Sequence, residues 1–246
     1  VTAEQPSRPP SRVVVMFGQT RFVPFRYVIA LLSALGLVQL VWAVADDWDF
    51  PRILRMAEQR YGSLGEGRQR LLAWQQLMGE QVSAAEHDKL RAVNNFFNHQ
   101  LRFEDDVRLW RQADYWATPV EALRIGGGDC EDFAIAKYVT LRRLGVSADK
   151  LRITYVKAVR LNQAHMVLTY YEQPGAVPLV LDNLVGGILP ATQRNDLVPV
   201  YAFNGEGLWL PGRSGDKQVS DSKKLSRWQD LLKKMQAEGF PAGSGS

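Results

Sequence analysis

Cysteine is almost absent. The 246 residues contain one, Cys130, and only three histidines, His87, His99 and His165. A single cysteine excludes an internal disulfide, so stability must come from a packed core. With histidines so far apart in sequence, it also excludes the ligand spacing of a structural zinc site. A basic stripe is missing too. The chain holds 30 Lys and Arg against 26 Asp and Glu, but Arg8, Arg12, Arg21 and Arg26 lie in the first 45 residues beside a single acid, Glu4. Beyond them 26 basic side chains face 25 acidic ones. That balance cannot track a phosphate backbone, so no nucleic acid partner is expected. There is no internal repeat.

What is present begins with RFVPFRYVIALLSALGLVQLVWAVADDW. Arg21 and Arg26 form a positive region, residues 27–42 an apolar run, and Ala43-Val44-Ala45 a small-x-small site before Asp46. Residues 1–45 are therefore expected to be an N-terminal extension and a secretory signal peptide, cleaved after Ala45, with Met16 as the true start. The mature chain would then have no stable membrane insertion and would be periplasmic. An uncleaved anchor remains the alternative, because residues 27–45 are barely long enough to span a bilayer.

After Asp46 the pattern is helical first and extended later. Pro51 opens a segment through Ile53, Leu54 and Met56, and Leu71, Leu72, Trp74 and Leu77 mark a second helix. Ser83-Ala84-Ala85-Glu86 and Thr118-Pro119-Val120-Glu121 read as capping boxes, the second with proline at the first helical position. A further helix starts at or near Cys130 and stops at Gly145, with Phe133, Ala136, Val139 or Thr140, and Leu144 facing inward. Residues 151–157, 164–171, 177–183 and 198–203 read as strands. This order predicts an α+β fold with an antiparallel sheet against the central helix. Residues 46–215 are expected to form the main domain. Residues 216–246 are read as a polar linker (216–221), an amphipathic helix carrying Leu225, Trp228, Leu232 and Met235, and a flexible tail.

Cys130 would sit at the N-terminus of the central helix, where unpaired amides and the helix dipole favour a thiolate. Asp129, Glu131 and Asp132 surround it, and carboxylates are not buried cheaply. A nucleophile is therefore favoured over a buried structural cysteine. It needs a base. His87 and His99 read as surface or cap residues, whereas His165 lies in an alternating strand between Ala164 and Met166. Asp182 ends the apolar run Val177-Pro178-Leu179-Val180-Leu181. It would orient the imidazole if the two strands are hairpin neighbours. Asn183 is the rival for that role.

Helix-borne cysteine, strand-borne histidine and strand-borne aspartate follow one another in that order. Trp116-Ala117-Thr118-Pro119, Glu121, Gly128-Asp129-Cys130, Asp132 and Leu141-x-x-Leu144-Gly145 form a first block. Gln163-Ala164-His165-Met166-Val167 and Leu181-Asp182-Asn183 form a second and third. Together they resemble the bacterial transglutaminase-like cysteine proteinases, and within them the periplasmic LapG-type adhesin protease branch. The resemblance implies a transglutaminase-like, papain-like fold and a Cys130–His165–Asp182 triad in a thiol protease. It also implies Ca2+ held by Asp129, Glu131 and Asp132. Hard divalent cations do take oxygen ligands, and a cation would relieve the repulsion between carboxylates and thiolate. As partners it implies a large surface adhesin, cut in its N-terminal region to disperse a biofilm, and an inhibitory inner-membrane cyclic-di-GMP receptor. Two other readings stay open: an acyltransferase or amide-forming enzyme with the same triad, and a non-catalytic binding module on this fold.

Overall fold

The computed structural model describes residues 48–211, 216–221 and 225–243; the expected signal segment lies outside them. Seven α-helices occur among the described residues: α1 Phe50–Tyr61, α2 Glu66–Gln81, α3 Glu86–Gln100, α4 Asp106–Leu109, α5 Pro119–Ile125, α6 Cys130–Arg143 and α7 Ser226–Ala237. None is long and apolar enough to cross a membrane. Two short strands, β1 Arg102–Phe103 and β2 Gly127–Gly128, pair in parallel. The main sheet holds β3 Leu151–Ala158, β4 Gln163–Tyr170, β5 Leu179–Leu181, β6 Leu189–Pro190, β7 Leu197–Phe203, β8 Leu208–Leu210 and β9 Lys217–Ser220. Its order is β6-β5-β4-β3-β7-β8-β9, antiparallel throughout. The fold is α+β, with the central helix against an antiparallel sheet.

Side-chain alternation sorts the sheet into two faces. Leu151, Ile153, Met166, Leu168, Tyr170, Leu181 and Phe203 join the main core with the helices. Val156, Val167 and Val180 form a small second cluster with Ala191 and Leu197. Helix α6 is buried nearly all round, from Asp132 through Leu141, as befits an element enclosed by both sheet and helices. Trp74 of α2 is fully buried and donates its indole N–H to Thr140 Oγ1 of α6 at 2.9 Å. Trp48, Phe50, Phe97 and Phe240 pack around its ring.

Only one of the two expected capping boxes forms. Thr118 Oγ1 accepts from Glu121 N, and Glu121 Oε2 accepts from Thr118 N. Helix α3 instead begins after Ala85 with no side-chain cap. Glu86, which would have completed that box, is held by Lys150 Nζ at 3.0 Å to both oxygens. A tertiary ion pair has taken the local partner. The stretch 216–221, expected to be linker, contains β9, and the following α7 buries Trp228, Leu231 and Met235 in the main core.

Two features set the position of Cys130. Helix α5 ends at Gly126, whose φ of 72° is the left-handed cap that glycine adopts without strain. A Cβ on Gly128 would come within 2.7 Å of the Asp132 side chain, so only glycine lets Asp132 fold back over the turn. Asp132 Oδ1 accepts from Ala117 N at 2.7 Å, and its Oδ2 lies 3.4 Å from Asp129 N. The acid that reads as a metal ligand in the sequence is thus also a structural pin for the start of α6.

Candidate active site

Cys130 is the first residue of α6 and is partly exposed. Strand β5 pairs with β4 only over Leu168–Tyr170. The outer edge of β4 from Gln163 to Val167 is therefore left without a strand partner among the described residues. The thiol approaches that edge, close enough for the Met166 backbone to favour its ionised form. His165, the residue before Met166, is buried, and its Nε2 lies 2.8 Å from Asp182 Oδ1. Asp182 follows β5 directly and is fixed from several sides. Leu184 N donates to Oδ1 at 3.1 Å, Arg194 Nη2 donates to Oδ2 at 2.7 Å, and Asn98 Nδ2 donates to its backbone carbonyl at 2.8 Å. Asn183, the rival orienting residue, makes no bond to His165 here. His87 and His99 are exposed, the first 4.0 Å from Glu172 and the second bonded to the Asn95 carbonyl.

The pair at β4 and β5 is electrostatically satisfied. Burial opposes ionisation of Asp182. The hydrogen bonds and charge of His165, with those of Arg194 and the Leu184 amide, outweigh burial and hold its pKa at about 2. An ionised Asp182 accepts from His165 at Nε2, so Nε2 carries the hydrogen and Nδ1 is left as the basic nitrogen. Lys137, two turns beyond Cys130 on α6, is almost wholly buried. Burial pulls its pKa down to about 7, against the attraction of Asp182.

The surroundings of Cys130 are the reverse. Its thiol donates to Glu131 Oε2 at 3.0 Å. Burial, then the charge of Glu131 and of Asp129, pushes the thiol pKa far up. Burial together with Glu131 and Asp132 pushes Asp129 up to about 10, and Asp132 is raised well above the carboxylate range by burial. Asp106 is raised as well, chiefly by burial. These acids disfavour one another's ionisation and that of the thiol.

Sequence reading missed two members of this cluster, Asp106 and Asp114. Oxygen atoms of Asp106, Asp129 and Asp132, and separately of Asp106, Asp114 and Glu131, come within 4.8 Å of one another. The parallel pairing of β1 with β2 brings Asp106 in, setting Phe103 against Gly128 and carrying the Glu104-Asp105-Asp106 run up to Asp129. That run of acids was the available signal, but nothing local showed where the segment packs. Asp114 is paired with Arg227 of α7. Asp106 Oδ1 and Asp129 Oδ1 are buried and have no hydrogen-bond partner among the described residues. Two orphaned carboxylate oxygens among all-oxygen donors are what a hard divalent cation such as Ca2+ would satisfy. The residues fit the ion.

Residues 73–196 match the model of the bacterial transglutaminase-like cysteine proteinases. Among solved structures, Legionella pneumophila LapG is 45% identical over 74% of this chain and 97% of its own, with a TM-score of 0.64. A calcium-bound form of that protein is 45% identical, covering 76% of this chain and 98% of its own, at a TM-score of 0.64. An EGTA-treated form is 44% identical over 74% and 97%, at 0.66. No curated protein matches the chain. A matched model spanning half the chain, and solved relatives aligned over nearly their full length, establish that this protein belongs to the bacterial transglutaminase-like cysteine proteinase family, of LapG type.

Proposed function

We propose that the protein is a calcium-dependent periplasmic cysteine endopeptidase with Cys130 as nucleophile, His165 as base and Asp182 as orienting acid. Its substrate is the N-terminal region of a large surface adhesin. Cleavage releases the adhesin and disperses a biofilm, and an inner-membrane cyclic-di-GMP receptor restrains the protease. One observation carries the catalytic part: the Asp182–His165 pair occupies Nε2 beside the strand edge that Cys130 approaches, which leaves Nδ1 as the base. The substrate, compartment and receptor rest on the family resemblance and on the signal-like residues 1–45.

The chain's own groups supply the nucleophile, the base and an oxyanion donor for peptide hydrolysis. Nδ1 of His165 takes the Cys130 proton, and the imidazolium that forms is stabilised by Asp182. The thiolate attacks the scissile carbonyl, with the Cys130 backbone amide at the helix N-terminus placed to donate to the oxyanion. The imidazolium then protonates the leaving amine, and water activated by the neutral imidazole hydrolyses the thioester. Asp129, Glu131 and Asp132 would hold the cation, joined by Asp106, whose oxygens lie among theirs, with Asp114 beside them. A bound dication lowers the cost of a thiolate among carboxylates. The relative's calcium-bound form supports the same ion here.

The test is incubation of the calcium-loaded protein with an N-terminal adhesin fragment. Wild type should cut it at one place. Cys130→Ala and His165→Ala should each lose several orders of magnitude of rate while still binding the fragment. A normal rate in Cys130→Ala sinks the mechanism. Crosslinking to an added amine, in place of a cut, would establish the acyltransferase reading, and binding with neither reaction the non-catalytic one.

A further inference from the structure

We propose that Arg194 is a positioning residue of this active site: it locks the Asp182 carboxylate so that His165 is held in the tautomer with Nδ1 free. The proposal rests on the cysteine-peptidase reading above and adds a fourth member to its charge system.

A buried carboxylate has two equivalent oxygens and can turn between them, so one hydrogen bond from His165 does not fix it. Asp182 has a side chain with no solvent exposure. Oδ1 takes His165 Nε2 and the Leu184 amide, and Oδ2 takes Arg194 Nη2. The two oxygens are thereby made unlike. Arg194 is itself held. Its Nε donates to Asp196 Oδ1 at 3.0 Å and its Nη2 to Asp196 Oδ2 at 2.9 Å, a fork meeting a carboxylate edge-on. Its backbone closes a turn after the 3-10 segment Ala191–Gln193. Arg194 N donates to the Ala191 carbonyl at 3.0 Å, and Leu197 N donates to the Arg194 carbonyl at 3.0 Å. The Arg194 side chain is only 3% exposed. A buried guanidinium joined to two carboxylates is not placed there by surface chance.

Charge balance supports the same role. When His165 carries the proton, two cations, His165 and Arg194, face two carboxylates, Asp182 and Asp196. Without Arg194 the buried Asp182 would lose its nearest permanent cation and would tend to keep a proton of its own. A protonated carboxyl can donate to Nε2, and that forces the hydrogen onto Nδ1, the nitrogen that must be free. Lysine is a poor substitute, because its point charge cannot bridge two carboxylates in one plane.

The experiment uses the calcium-loaded full chain labelled with 15N at histidine, with His165→Ala to assign the His165 signals. Wild type should show a single tautomer, protonated at Nε2. Arg194→Met should show a mixture, or the Nδ1-protonated form. Its kcat on the adhesin fragment should fall roughly 10–100-fold, the usual loss when an outer partner is removed, with KM unchanged. Arg194→Lys should recover part of both. A merely structural role predicts a lower melting temperature with the tautomer and the kcat of the folded fraction unchanged, and that result overturns the proposal. If Arg194→Met does not fold, Arg194→Lys and Asp196→Asn take its place, and wild-type 15N patterns in both overturn it equally. If wild type cuts no adhesin fragment, the peptidase reading fails on its own. The tautomer comparison still decides what Arg194 does.

Discussion

The two halves of the active site are built on opposite electrostatic plans. At the sheet edge opposite charges alternate: Asp182 has His165 and Arg194, and Arg194 has Asp196, with Arg194 Nη1 left without a hydrogen-bond partner among the described residues. At the N-terminus of α6, Asp106, Asp129, Glu131 and Asp132 crowd one another, and two of their buried oxygens have no partner among the described residues. The protein alone completes the base. It leaves the nucleophile's surroundings incomplete. The base half is thus ready as folded, while on the proposed reading an ion would complete the nucleophile half. Such a division would let a metal set the activity without moving the histidine.

Withdrawing the ion should therefore strike one half and spare the other. In excess chelator, cleavage should fall by orders of magnitude and the melting temperature should drop, because a ligand bound only by the folded state stabilises it. The His165 tautomer should stay as it is. Calcium should restore activity and melting temperature, and magnesium poorly, since it keeps its waters and wants tight octahedral geometry. Asp129→Ala and Asp106→Asn should behave like chelation with calcium present. If these acids only complemented a helix dipole, each loss would be about 1 kcal/mol or less with no metal dependence. Full activity in chelator, with no metal found by elemental analysis, would remove the distinction between the halves.

The same division explains what could be read in the sequence. The α+β order, the central helix from Cys130 and the stop near Gly145 follow from local period and caps. His165 stands out by its strand and Asp182 by interrupting an apolar run. Local signals failed where a distant group intervened. Ser83 was denied its capping box because Lys150, 64 residues from Glu86, took the glutamate. Asp106 reaches Asp129 only through a two-residue parallel pairing, which has no periodicity to detect. Arg194 sits in a turn whose residues have no pattern at all. Contacts that close through space from polar, irregular segments leave little trace in a single chain.

A smaller effect sharpens the contrast through pH. In the metal-free protein Asp129 is pushed up to about 10, above roughly 3.9 for an unfolded aspartate. A raised pKa contributes stability that is fully present below the unfolded value and lost as pH climbs to the folded one. Asp182, held at about 2, runs the other way: its contribution is present above the unfolded value and lost as pH falls toward 2. Metal-stripped protein should therefore weaken between pH 5 and pH 9, by up to about 1.4 kcal/mol per pH unit for each proton retained. Calcium should flatten that limb. Asp129→Asn should reduce it without chelator dependence, leaving the acid limb below pH 4 to Asp182. Urea unfolding across the pH range measures both limbs, and a metal-stripped protein equally stable at pH 5 and pH 9 would contradict the crowded half.

The smallest expected change concerns Lys137, which lies on the helix of Cys130 but in the field of Asp182. Its side chain is buried, its ammonium lies 5.7 Å from the Phe133 ring centroid, and burial draws its pKa down to about 7. A lysine with a depressed folded pKa carries a penalty that is full below that value and vanishes as pH rises to its unfolded value near 10.4. Asp182 offsets the penalty only in part, because His165, Arg194 and the Leu184 amide already satisfy it. A desolvated lysine costs stability while it stays charged, and an apolar side chain of similar length removes that cost. Lys137→Met should raise stability at pH 7, by about 1.4 kcal/mol for each pKa unit by which the folded protein depresses the lysine, and less at pH 10, with little change in the His165 tautomer. A loss of stability at pH 7 would mean that Asp182 needs Lys137 as well as Arg194, and the sheet-edge half would then be less self-sufficient than its hydrogen bonds indicate.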